Sequence, residues 1–92
     1  MSEFSLRYHP SAVDEINELE ESLAGRIRKK LVRLKNKPLE GKPLKGELKG
    51  FRSSRVGDYR VVYSISNDKG LIYVLYVGHR SEVYEEARRK TP

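Results

Sequence analysis

Four arginines, a histidine and a tyrosine in the C-terminal half are the residues of this chain best equipped for chemistry. Arg52, Arg55 and Arg60 fall on stretches of strand-like pattern, Arg80 closes another, and Tyr84 follows it. An arginine presents a planar fork of donors that matches phosphate and stays charged at all relevant pH. A cluster at one end of a sheet would therefore bind a phosphodiester and stabilise the charge its reaction develops. Histidine is the side chain whose reference pKa, about 6.5, suits proton transfer near neutrality, and His79 stands next to Arg80 in sequence. Tyr84 is placed to stack on a base or hold a phosphate oxygen. Each has a plainer role available. The arginines can be strand-end charges paired with Asp58, Glu82 or Glu85, the histidine a hydrogen-bonded spectator, and the tyrosine an amphipathic lid on the core.

The wider charge distribution points the same way. Nineteen Lys and Arg against thirteen Asp and Glu give a formal charge of +6, a balance that favours polyanionic partners. Lys45 and Lys49 stand in a glycine- and proline-containing loop before the arginine stretch, and Arg28, Lys29 and Arg33 belong to a basic helical face able to dock on structured RNA through phosphates. The same face is an ordinary solvated surface in many proteins. With no cysteine and two widely separated histidines, disulfides, thiolate chemistry and Cys-ligated zinc are excluded, and neither metal nor cofactor is expected. Walker-type and dinucleotide-type glycine loops are absent. No run approaches a membrane span or a secretory leader, so a cytoplasmic protein without membrane contact is expected.

Ninety-two residues make one domain, 1–92. Phe4, Leu6 and Tyr8 alternate as in a short first strand. Ser11 is a candidate N-cap for a helix with Asp14 and Glu15 in its first turn and Val13, Ile16 and Leu19 buried. Leu23, Ile27, Leu31 and Leu34 mark a second, basic helix, with Ser22 and Gly25 near the turn between the two and charge pairing between the acidic and basic arms available. Asn36-Lys37-Pro38 ends it. Residues 38–50 read as a loop. Strands follow at about 51–56, 59–66 and 71–78, with Asn67 to Gly70 as a hairpin connection. The last strand is apolar on both faces, Leu71, Tyr73, Leu75 and Val77 alternating with Ile72, Val74 and Tyr76, as in a central strand. A terminal helix spans about Ser81 to Arg89.

Taken together, Gly57-Asp58-Tyr59-Arg60-Val61-Val62-Tyr63, Gly78-His79-Arg80-Ser81-Glu82-Val83-Tyr84 and the upstream Lys42-Pro43-Leu44-Lys45-Gly46 resemble the RelE branch of the RelE/ParE toxin superfamily over nearly the whole chain. The resemblance implies an α+β fold: a largely antiparallel sheet of about four strands, an N-terminal helical hairpin packed on it and a short C-terminal helix. It implies the toxin of a type II toxin-antitoxin pair, partnered by a cognate RelB-like antitoxin. The activity implied is ribosome-dependent cleavage of mRNA in the A site, by metal-free attack of the ribose 2′-hydroxyl on the adjacent phosphate. On that likeness Arg60 matches a transition-state arginine, Arg80 a phosphate or leaving-group arginine, and Tyr84 a tyrosine near the scissile nucleotide. Where one bacterial branch carries a pair of lysines on the strand before Arg60, this chain has Arg52, Ser53, Ser54 and Arg55. Arginine hardly accepts a proton, so the general base is open between His79, Tyr84 and none. Two other readings stay open: the ParE branch, which inhibits DNA gyrase, and a non-catalytic RNA- or ribosome-binding domain.

Overall fold

The computed structural model describes residues 4–80 and 82–90. Strand β1 (Ser5–Tyr8) leads into helices α1 (Pro10–Asn17) and α2 (Glu21–Asn36). A 3-10 turn at Pro38–Glu40 precedes a two-residue strand β2 (Lys42–Pro43), and a second at Gly46–Leu48 precedes β3 (Phe51–Val56). Strands β4 (Tyr59–Ser66) and β5 (Leu71–His79) complete a meander, and α3 (Val83–Lys90) ends the described chain.

The sheet order is β1-β5-β4-β3-β2. The architecture is the expected α+β one, with two differences in detail. A fifth strand, Lys42–Pro43, forms where the sequence reads as loop, and pairs antiparallel with Ser53 and Arg52. Its proline suits an edge position, where a missing N–H costs no ladder bond. The first strand runs parallel to the last, Ser5 beside Leu71 and Tyr8 beside Val74, because the helical hairpin crosses over one face before the chain returns.

That hairpin covers the core. Ala12 and Ile16 of α1 and Ala24, Ile27, Leu31 and Leu34 of α2 pack on Val56, Val61, Tyr63, Ile72, Val74 and Val77. Val13, expected inside, is 42% exposed. The helix begins earlier than the sequence suggests: Pro10 takes its first turn and His9, not Ser11, is the cap, its Nδ1 accepting from Ser11 N at 3.1 Å. Gly25 lies inside α2 rather than in the inter-helix turn. The basic arm's Lys30 and Arg33 pair with Glu40, at 3.1 and 2.5 Å, in the turn that follows α2. On the sheet's other face a smaller core gathers Leu48, Val62, Leu75 and Ala87, with Phe51, Tyr73, Tyr76 and Tyr84 around it. The predicted start of the terminal helix, Ser81, lies outside the described residues.

One irregularity sets the faces. Val62 pairs with Tyr76 but Tyr63 pairs with Val74, leaving Leu75 as the extra residue of a β-bulge. Leu75 and Tyr76 therefore both point toward α3, and Val77 turns to the hairpin core. The regular alternation expected of this strand holds only up to Leu75.

Candidate nucleic-acid interface

Alternation along β3 and β4 separates the arginines. Ser53, paired with Val62, and Arg55, paired with Arg60, share the α3 face. Arg52 pairs with Tyr63 on the hairpin face, and its Nη1 donates to the carbonyls of Gly41 at 2.6 Å and Leu39 at 3.3 Å. Its guanidinium secures the turn after α2. It does not join Arg55 and Arg60.

Arg60 is partly buried and lies opposite Gly78. A side chain at 78 would collide with the ring of Tyr76, 2.5 Å from an added Cβ, so only glycine leaves that ring in place beside the arginine. Arg80 reaches the same end of the sheet because its N–H donates to the Asp58 carbonyl at 2.8 Å, clamping the chain after β5 to the β3–β4 turn. Gly57 makes that turn possible with φ of +59°. Arg55, Arg60 and Arg80 are thus gathered at one end, on three adjacent segments.

Tyr84 comes to this face from α3. Its hydroxyl donates to Ser53 Oγ at 3.1 Å, and Ser53 is only 3% exposed. A buried acceptor of this kind fixes where the phenol points. Sequence reading missed Ser53; its position on the Arg55–Arg60 face was the available signal.

His79 is directed elsewhere. It pairs with Tyr59, not Arg60, and its ring meets that of Tyr59 edge-on, centroids 5.6 Å apart and planes at 83°. Tyr59 packs against the hairpin core. The bulge at Leu75 is the cause, since unbroken alternation from Tyr73 would have set His79 on Arg60's side.

The loop lysines and the helical cations are also spread out. Lys45 and Lys49 flank the Gly46–Leu48 turn ahead of β3, whose first residue, Phe51, is itself about 14 Å along the strand from Arg55 at 3.4 Å per residue. Arg28 lines a small cleft with Tyr8, Val13 and Leu31. Lys29 and Arg33 instead line a larger cleft of about 620 Å³ shared with Arg26, Arg55 and Gly57. The expected docking trio is thereby split between two sides of α2.

Among the described residues Glu15 is the one strongly perturbed acid. Burial, first, raises its carboxyl to about 7, against the pull of the Val77 N–H it accepts and of Lys90. That bond, 3.2 Å long, caps β5 where β1 has ended.

Among known families, a model described as the ParE toxin of type II toxin-antitoxin system, parDE, matches residues 6–84. This chain belongs to the RelE/ParE toxin superfamily. Within the superfamily it is similar to the mRNA interferase toxin RelE of Escherichia coli, 31% identical over 91 residues, which is 95% of this chain and 96% of that protein. It is 43% identical to Toxin RelE of Mycobacterium tuberculosis over 44 residues, a match spanning 48% of this chain but only 45% of that relative's length. The solved toxin-antitoxin complex RelBE2 from Mycobacterium tuberculosis has a similar chain, with a TM-score of 0.79 at 30% identity, covering 85% of this chain and 99% of that one. No helix among the described residues of this superfamily member is long and apolar enough to cross a membrane.

Proposed function

We propose that this chain is the toxin of a type II toxin-antitoxin pair and a ribosome-dependent endoribonuclease that cleaves mRNA in the A site, in the cytoplasm. The observation that carries the reading is the end of the sheet where Arg55 and Arg60 share a face with the Ser53–Tyr84 hydrogen bond and Arg80 is clamped through Asp58. In the reaction the ribose 2′-oxygen attacks the adjacent phosphorus and the bond to the 5′-oxygen breaks. A 2′,3′-cyclic phosphate and a 5′-hydroxyl result, the 2′-hydroxyl proton being lost and one gained by the departing oxygen. Arg60 neutralises the charge that builds on the phosphoryl oxygens, Arg80 binds phosphate on the leaving-group side, and Arg55 holds the flanking strand. Tyr84, its hydroxyl anchored by Ser53, meets the scissile nucleotide with its ring or phenol. His79 faces away and takes no part at Arg60. Positioning and fixed positive charge supply most of the acceleration, without a metal or cofactor.

The partner is a RelB-like antitoxin, as the solved RelBE2 complex of the relative suggests. The test is to map mRNA ends after mixing the protein with programmed ribosomes carrying an empty A site, beside free RNA and an Arg60→Ala/Arg80→Ala variant. Cuts inside the A-site codon, made only with ribosomes and lost in the variant, are expected. A second reading, gyrase inhibition, draws on the ParE description of the matching family. Intact mRNA together with arrested DNA supercoiling would replace the first reading with that one.

A further inference from the structure

The cleft between α2 and the end of β3 gathers three cations, Arg26, Lys29 and Arg33, that the cleavage chemistry does not use. Arg26, Lys29 and Arg33 enter it from α2, and Arg55, Val56 and Gly57 close the other side. The three helix residues follow at steps of three and four and so form one stripe about 10 Å long. Two guanidinium groups meet at the β3–β4 turn. Arg26 packs on Gly57, where an added Cβ would lie 3.3 Å from its Nη2, and Arg55 Nε donates to the Gly57 carbonyl at 3.3 Å. No carboxylate lines the cleft among the described residues. Glu40 takes up Lys30 and Arg33 at one end, while Arg26 and Lys29 have no ion-pair partner among the described residues.

We propose that this cleft is a second phosphate site, which holds the backbone of structured RNA while the Arg60 face holds the strand to be cut. Gathering like charges around one groove is unfavourable until a polyanion occupies it. Arginine forks fit phosphate oxygens two at a time. An acidic protein helix is the poorer occupant, because docking one needs an apolar stripe to receive its buried face. Val56 is already buried, and Val32, 56% exposed, is the one apolar side chain the cleft offers. Continuity with the Arg60 site comes from Arg55. Its strand position is on Arg60's face, yet β2 covers only Arg52 and Ser53, so its head passes around the open edge of β3 into the cleft.

The choice of RNA rests on the nuclease reading above, and the test separates the two. The full chain is titrated with a fluorescent RNA hairpin, fully 2′-O-methylated so that it cannot be cut, over a range of salt. Arg26→Ala/Lys29→Ala should weaken binding at least tenfold at low salt and reduce the slope of log affinity against log salt by roughly 1.5, the loss of two phosphate contacts. Val32→Glu should weaken binding severalfold, while Asn67→Glu, an equal change in net charge at the far end of β4, should change it less than twofold. These exposed positions keep the test decisive where the double variant fails to fold. An unchanged salt slope, or equal effects of the two glutamates, would overturn the proposal. So would a polyglutamate peptide that loses affinity in the double variant while the hairpin does not, an outcome assigning the cleft to a protein partner. Hairpin binding as expected, with no mRNA cleavage on ribosomes, would remove the nuclease reading and leave the cleft.

Discussion

Tyr63→Phe removes one oxygen from the centre of the hairpin core. The Tyr63 hydroxyl donates to the Pro38 carbonyl at 2.7 Å and accepts from Gly41 N at 2.9 Å, tying the turn after α2 to the middle of the sheet. Gly41 is buried, so its stranded N–H would cost about 2 kcal/mol; Pro38 is partly exposed, and water replaces enough of its lost bond to leave about 1 kcal/mol. The expected loss is therefore about 3 kcal/mol, from a total of roughly 5–14 kcal/mol for a domain of this size. Urea unfolding followed by circular dichroism should show a lower midpoint at constant slope, and the melting temperature should fall by about 12–20 °C. Gly41→Ala supplies the cross-check. Its new Cβ would strike the Tyr63 hydroxyl and ring, so pairing it with Tyr63→Phe should give a double variant less destabilised than the sum of the singles. A loss under 1 kcal/mol in Tyr63→Phe, or strict additivity with Gly41→Ala, would refute the account.

Other expectations can be checked alongside. Gly78→Ala should displace the Tyr76 ring beside Arg60, costing about 1–3 kcal/mol and lowering mRNA cleavage; wild-type stability and turnover would show that the ring has room to move. Ser53→Ala should cost no more than about 1.5 kcal/mol yet lower single-turnover cleavage as Tyr84→Phe does, whereas additive losses in the double variant would mean that the two hydroxyls act separately. The carboxyl of Glu15 is raised by burial from its reference 4.5 to about 7, so the folded state binds its proton more tightly than the unfolded chain. Its stabilising contribution is full below pH 4.5 and fades as pH rises through 7, by about 1 kcal/mol after allowance for solvent contact. Denaturation of Glu15→Gln across this range should lack that component; an identical pH profile would exclude Glu15 as its source.

The meander was legible because its turns announce themselves and β4 alternates cleanly from Tyr59 to Ser66. The helical hairpin was legible from the spacing of Ile27, Leu31 and Leu34. What escaped reading has identifiable causes. Leu71 to Val77 is apolar on both faces, so no polar residue marks the bulge at Leu75, and the side taken by His79 could not be read beyond it. Strand β2 is two residues long and contains proline, below the reach of any period. Arg52 and Arg55 look equivalent in sequence, yet odd and even positions on β3 send them to opposite faces, one to secure a turn and one toward Arg60. The Tyr59-to-Tyr63 motif likewise divides: Arg60 serves the candidate site, while Tyr59, Val61 and Tyr63 serve the core. Pairing of Ser53 with Tyr84 depends on where α3 docks, and no local pattern encodes that.

The parallel ladder between Ser5–Tyr8 and Leu71–Val74 joins the first strand of this sheet, in chain order, to its last. A chain growing from its N-terminus can form the helical hairpin early, from local contacts, but the sheet must wait for β5 to emerge. Ser53, Arg55, Arg60, Arg80 and Tyr84 acquire their arrangement only then. For a protein proposed to attack ribosomes, the order of synthesis acts as a built-in delay: a copy cannot become harmful until β5 and α3 have left the ribosome that makes it, and an antitoxin has that interval in which to meet it.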